Sequence, residues 1–233
     1  MATVTRSDPQ TRIPPLENGD RLTTDEFLRR YERMHGVRAE LIEGVVYMAS
    51  PVSIDHSEPL ARATFWITAY TMTTPGVVAG NDGTIRLDLD NCPQPDISLR
   101  ITPQYGGQAK ENEDRIVVGA PELVVEVARS TVSIDLHDKM RAYCRNHVRE
   151  YIVWRVDDRR IDWFVLREGR YDAKPLSADG VYRSDVFPGL WLDPDALIRS
   201  DLSIVLQNVQ QGLASPEHAA FVEILKANAA KTR

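Results

Sequence analysis

Two carboxylates stand where strand patterning leaves little room for charge. In PELVVEVA, residues 121–128, Leu123, Val125 and Val127 alternate to one face, and Glu122, Val124, Glu126 and Ala128 to the other. The run is almost continuously apolar, as expected of a strand buried on both faces, and Glu126 lies deep within it, whereas Glu122 is expected at an exposed start. A carboxylate in that position costs several kcal/mol (roughly) unless it is paired or binds a cation. Asp96 follows Pro95 and opens DISLRI, with Ile97, Leu99 and Ile101 inward and Asp96, Ser98 and Arg100 opposite. On adjacent strands the two acids would converge into a hard oxygen site suited to Mg²⁺ or Mn²⁺. A simpler arrangement pairs Glu126 with Arg100 and leaves Asp96 capping a turn.

The segment after this strand adds a cation. A helix is predicted from about Asp135 to His147, and at about 100° per residue Leu136, Met140, Tyr143 and His147 fall within about 60° of one another. Lys139 lies about 70° from the centre of that stripe, nearer than the helix's other charges. It either reaches over the sheet edge toward the buried acid or snorkels to water.

The positioning elements are legible. Thr23 and Glu26 form a capping box for a helix over about 24–34. AELIEGVVYMAS reads as a hairpin about Glu43-Gly44, and Ser53 as the N-cap of a helix to about Thr73, with Leu60, Thr64, Ile67 and Met72 inward. Short strands follow near 77–79, 84–87 and 96–101; REYIVWRV and RIDWFVL form a strand pair joined at Asp157-Asp158, with a weaker hairpin at Gly169-Arg170. Residues 181–191 read as an irregular wrap, 195–212 as helical, and Ser215-Pro216-Glu217 as the start of a last helix. The fold class is α/β (α+β mixed): a mixed central β-sheet flanked by helices. The expected divisions are a flexible N-terminal tail over 1–22, a main domain over 23–193 and a C-terminal helical extension over 194–233.

Six segments in this order, AELIEG, SIDH (Ser53–His56), PQPDISL, APELVVEV, STxxxDLxxK and VREYIVW, resemble the Uma family of restriction endonucleases in the PD-(D/E)xK, restriction-endonuclease-like superfamily. The resemblance spans roughly 24–193. It implies a restriction-endonuclease-like core, with Asp96 and Glu126 as metal-binding carboxylates and Glu40 as the early glutamate that completes the metal shell or orients a ligand. His56 matches a position near the site with no role assigned. The third position of the usual E-x-K element is Ala128, and the resemblance implies that Lys139, on the next helix, takes the lysine's place. Similar sequences carry Ser-Pro before the Ser-Thr of this loop; here Arg129 alone precedes Ser130-Thr131, so the loop is one residue shorter.

The implied activity is Mg²⁺- or Mn²⁺-dependent hydrolysis of DNA phosphodiesters, in a homodimer because two strands must be cut. Alternatives are a catalytically silent interaction module keeping the fold, or a hydrolase of RNA or another phosphodiester. The formal net charge of -6 repels a phosphate backbone, so non-specific duplex binding without metal is expected to be weak. Between Arg129 and Arg160, eight bases and five acids leave a local +3, a modest candidate surface for DNA.

Other chemistries lack support. Two cysteines are too few for a disulfide framework. The C-x-x-H of Cys144 and His147 lacks a second metal-binding half, and His147 is expected in the core. Trp154, Trp163 and Trp191 read as core aromatics, and no G-x-S-x-G, Walker A or G-x-G-x-x-G occurs. A polar start and no apolar run of membrane-spanning length make a cytoplasmic protein the expectation.

Overall fold

A computed structural model describes residues 13–49 and 53–231. In chain order its elements are α1 (Thr24–Tyr31), β1 (Ala39–Ile42), β2 (Val45–Met48), α2 (Ile54–Thr71), β3 (Val77–Gly80), β4 (Ile85–Arg86), β5 (Ile97–Ile101), β6 (Lys110–Glu111), β7 (Val117–Val118) and β8 (Leu123–Ala128). A helical segment follows as α3 (Val132–Ile134), a π-helical turn (Asp135–Lys139) and α4 (Met140–Arg145). Then come β9 (Glu150–Arg155), β10 (Arg160–Arg167), β11 (Arg170–Ala173), β12 (Tyr182–Arg183), β13 (Trp191–Leu192), α5 (Pro194–Ile198), α6 (Leu202–Leu213) and α7 (Pro216–Lys231).

The central sheet has six strands in the order β11-β10-β9-β8-β5-β3. All neighbours are antiparallel except β8 and β9, which run parallel and therefore need the crossover that α3, the π turn and α4 supply. Alternation along β8 sorts its side chains as the sequence predicts. Leu123, Val125 and Val127 join Ile97, Leu99, Ile152 and Trp154 in the main core beneath α2 and the C-terminal helices. Val124 and Ala128 face a second cluster with Tyr143, Tyr151 and Val153 under the crossover helix. A third cluster closes α1 over the β1–β2 hairpin, with Phe27, Leu41, Val46 and Cys92 buried.

Several local expectations change. Glu43 (φ 52) and Gly44 (φ 74) both adopt the left-handed backbone of a two-residue hairpin turn, as predicted. The α1 cap is half a capping box: Thr23 accepts the Glu26 N–H at 3.5 Å, but the Glu26 carboxylate goes to Arg29 and Arg30. On α2 the inner stripe is Ala63, Trp66, Ile67 and Tyr70, and Met72, expected inside, is exposed. Residues 13–22 lie against the hairpin: Leu16 is buried and the Gly19 N–H donates to the Val46 carbonyl; residues 1–12 lie outside the described residues.

The expected wrap contains a real strand pair, β12 with β13. The helix expected over 195–212 breaks at Ser200, whose φ of 66 is left-handed, and restarts where Asp201 caps the Ile204 N–H. The C-terminal helices are built into the main core through Leu197, Val205, Val209 and Leu225. Gly212 is required there, since a Cβ on it would lie 2.1 Å from the Gly189 carbonyl oxygen.

Candidate active site

The site forms where β5 and β8 diverge. Their ladder ends at Ile97↔Val125, so Asp96 and Glu126 sit one step beyond, on the face away from the main core. The two acids clasp each other's strand. An Asp96 carboxylate oxygen accepts the Val127 N–H at 2.7 Å, and Glu126 Oε2 accepts the Asp96 N–H at 3.3 Å. Arg100, the alternative partner for Glu126, pairs with Glu111 instead.

Lys139 enters from above. Its Nζ lies 2.9 Å from Glu40 Oε2, 3.1 Å from Glu126 Oε1 and 3.6 Å from Asp135 Oδ1, with the lysine only 7% exposed and Glu126 and Asp135 each 2%. The snorkelling alternative is excluded by this burial. Glu40 reaches the lysine from the hairpin strand β1 and is held by the Gln94 N–H at 2.6 Å, two residues before Asp96. Tyr143 donates its hydroxyl to Glu126 Oε1 at 2.8 Å, and Tyr151 donates to the Asp135 carbonyl at 2.9 Å.

The π turn explains why the helix reads imperfectly from sequence. Rotation per residue changes across Asp135–Lys139, so a phase counted at the α-helical period drifts, and both residues turn inward. His147 correspondingly leaves the face assigned to it: it is exposed with a left-handed φ of 63 at the helix end, and Val148 takes the core place.

Charge is unbalanced in this volume. Burial pushes the Glu126 carboxyl well above the usual carboxylate range; Lys139 opposes that, and Asp135, Asp96 and Glu40 add to it. Asp135 is raised by burial as well, with Lys139 again opposing. Burial alone would lower Lys139, but Glu126, Glu40 and Asp135 outweigh it and hold the ammonium charged. His56, in the first turn of α2, lies 3.4 Å from Asp96 through Nε2, and its pKa is raised chiefly by that contact. Its Nδ1 is buried without a hydrogen-bond partner among the described residues.

All five residues singled out from sequence, Glu40, His56, Asp96, Glu126 and Lys139, are therefore drawn into one network. Asp135 and Tyr143 were missed as site residues: the first read as a helix start and the second as part of an apolar stripe. The Asp135-to-Lys139 spacing was the available signal. Glu122, expected exposed, is buried, accepting the N–H groups of Ile101 and Gln108.

No group of three His, Cys, Asp or Glu among the described residues is arranged as a ready-made metal shell. Asp96 and Glu126 nonetheless bring two carboxylates together at the open end of the β5–β8 ladder. The donors are hard oxygens in net negative surroundings, so the residues fit a divalent cation.

Among the described residues, several of the arginines counted in sequence are already ion-paired. Arg129 pairs with Asp55 and Asp157, Arg141 with Asp138, Arg145 with Glu43 and Asp88, Arg155 with Asp158 and Asp162, and Arg160 with Asp162. The local excess of bases counted in sequence is largely spent on these pairs.

No curated protein matches the chain. Among solved structures, a crystal structure described as a putative nuclease belonging to DUF820, from Anabaena variabilis ATCC 29413, superposes with a TM-score of 0.59 at 16% identity, covering 76% of this chain and 99% of that one. It supports the mixed-sheet fold. A family model described as "Putative restriction endonuclease" matches residues 24–195, the span that carries Glu40, Asp96, Glu126 and Lys139, and the chain accordingly belongs to the Uma2 family.

Proposed function

We propose that the protein is a divalent-metal-dependent endonuclease acting on DNA, with Asp96 and Glu126 as the metal-holding carboxylates. One observation carries this reading: a single buried ammonium, Lys139, is shared by Glu40, Glu126 and Asp135, with Asp96 adjoining them. A purely structural cluster of this kind would be costly, because unpaired buried charge is strongly destabilising. A cation and a phosphate substrate give the excess carboxylates a purpose.

When bound, Mg²⁺ or Mn²⁺ would polarise the scissile phosphate and lower the pKa of a coordinated water. The chain's own groups do the remainder. Lys139 holds a fixed positive charge beside the carboxylates, where it offsets charge that develops on the phosphate. Glu40, 2.9 Å from the ammonium, helps fix it and holds an outer water. Glu126, Glu40 and Asp135 together keep the lysine charged. The Asp96 and Glu126 clasp across β5 and β8 limits movement of either carboxylate, so little reorganisation is needed on binding.

The test is cleavage of supercoiled and linear DNA with Mg²⁺ or Mn²⁺, with RNA in parallel. Asp96→Ala and Glu126→Ala are expected to lower the rate at least about a hundredfold, a loss of about 3 kcal/mol of barrier reduction. Variants cutting as fast as wild type after equal purification would remove the proposal. Metal-induced thermal stabilisation without cleavage of any nucleic acid would instead point to a catalytically silent module or a hydrolase of another phosphodiester. The homodimer is tested by gel filtration of the full-length chain, because truncation after Pro194 would remove Leu197, Val205, Val209 and Leu225 from the core.

A further inference from the structure

We infer that Tyr143 is a positioning residue that commits one oxygen of Glu126 to the protein and leaves the other for the cation. The inference rests on the metal-binding reading above and extends it to a residue that carries no charge. Glu126 Oε1 receives two donors, the Tyr143 hydroxyl at 2.8 Å and Lys139 Nζ at 3.1 Å. Two donors satisfy both lone pairs of a carboxylate oxygen. Among the described residues Oε2 has one long contact, the Asp96 N–H at 3.3 Å, on the side of the other metal-holding acid.

Tyr143 is itself fully buried and held by an aromatic neighbour, its ring centroid 5.0 Å from that of Tyr151. Its phenol cannot swing away without leaving a buried hydroxyl unsatisfied, so it fixes the Glu126 side-chain torsions. Burial also keeps that phenol protonated, raising its pKa well above the usual value, so it remains a donor. Outer partners of this kind typically change metal affinity by about 10- to 100-fold when removed. Lys139 contributes charge to the same oxygen, whereas Tyr143 contributes direction.

The experiment measures Mn²⁺ affinity directly, by the loss of the free-ion electron paramagnetic resonance signal, without substrate or turnover. Wild type is compared with Tyr143→Phe, which keeps the ring, and with Tyr171→Phe. Tyr171 belongs to the same aromatic cluster but donates its hydroxyl to the Val148 carbonyl at 2.8 Å. Tyr143→Phe is expected to weaken Mn²⁺ binding by about 10- to 100-fold, with Tyr171→Phe unchanged. Binding within about twofold of wild type in Tyr143→Phe overturns the inference, as does equal weakening in both variants, which would mean general loosening of the cluster. Asp96→Asn and Glu126→Gln run alongside: if both bind Mn²⁺ as wild type does, the metal-binding reading itself has failed, and the role of Tyr143 falls with it.

Discussion

Replacing Lys139 by methionine keeps most of the side-chain volume and removes the charge that Glu40, Glu126 and Asp135 share. The lysine is 7% exposed and lies 2.9 to 3.6 Å from the three carboxylates, so solvent cannot compensate for the loss. Breaking a buried pair by removing one partner costs about 3–5 kcal/mol. At about 2–4 °C per kcal/mol for a chain of this size, Tm falls by about 6–20 °C. The loss must also depend on pH. In the variant Glu126 and Asp135 lose the group that opposed the upward pull of burial, so their folded-state pKa values rise further above their unfolded values. Acids raised in this way bind more protons folded than unfolded, and stability falls as pH rises from the unfolded pKa through the folded one. In wild type the raised pKa of Lys139 keeps the ammonium charged across neutral and acidic pH, so the gap follows the ionisation of the acids around it. The Tm gap between wild type and Lys139→Met is therefore expected to be widest near pH 8 and to narrow toward pH 5. Thermal melts of both proteins without divalent metal, at unit pH steps, measure it. A gap under about 2 °C at pH 8, or one that widens on acidification, would refute the claim that the lysine neutralises a buried acid cluster.

Two further outcomes test other parts of the fold. Glu150, fully buried at the start of β9, is pushed up to about 7 by burial, although the Ser184 hydroxyl and the Asp185 N–H favour its charged form. As pH rises from the ordinary carboxylate range through that value, wild type loses stability that Glu150→Gln keeps, about 3 kcal/mol in total; parallel melting curves at pH 5 and pH 8 would contradict this. Gly212→Ala adds a Cβ 2.1 Å from the Gly189 carbonyl oxygen. Despite alanine's better helix propensity, Tm should drop by an amount corresponding to about 1–3 kcal/mol, and an unchanged or higher Tm would show that the two backbones do not approach as described.

How much of this was written in the sequence differs by element. Alternation along β8 was legible because a strand's period of two leaves no freedom: once Leu123, Val125 and Val127 face the main core, Glu126 must face the other way. The hairpin turn was legible because Glu43-Gly44 between apolar runs admits few backbone solutions. The inward turn of Asp135 was not, because it depends on a π turn that no local pattern marks and that Tyr151, remote in sequence, helps hold through the Asp135 carbonyl. The burial of Glu122 was hidden for a related reason: its partners are backbone N–H groups of Ile101 and Gln108, which carry no residue-type signal. The break at Ser200 and the strand pairing of β12 with β13 are set by the fit of the C-terminal helices to the core, a tertiary constraint that overrides local propensity.

The placement of the lysine has a physical consequence of its own. A lysine at position 128 would share the Glu126 face of β8, two residues along the same strand, but Ala128 is fully buried beside Tyr143 and Tyr151 in the second core cluster. A long cation would have to displace those rings. Supplying the ammonium from the crossover lets the strand keep a small residue, and lets the aromatic pair pack against it while both hydroxyls serve the site. The arrangement makes the lysine's position depend on the π turn rather than on the strand, and so on contacts that can be removed one at a time. Exchanging the two positions, with Ala128→Lys in the Lys139→Met background, should therefore deepen the loss of stability by overpacking the cluster and fail to restore cleavage. Recovery of activity in that double variant would show that the strand position is still open to a lysine, and that the aromatic cluster yields more readily than its burial implies.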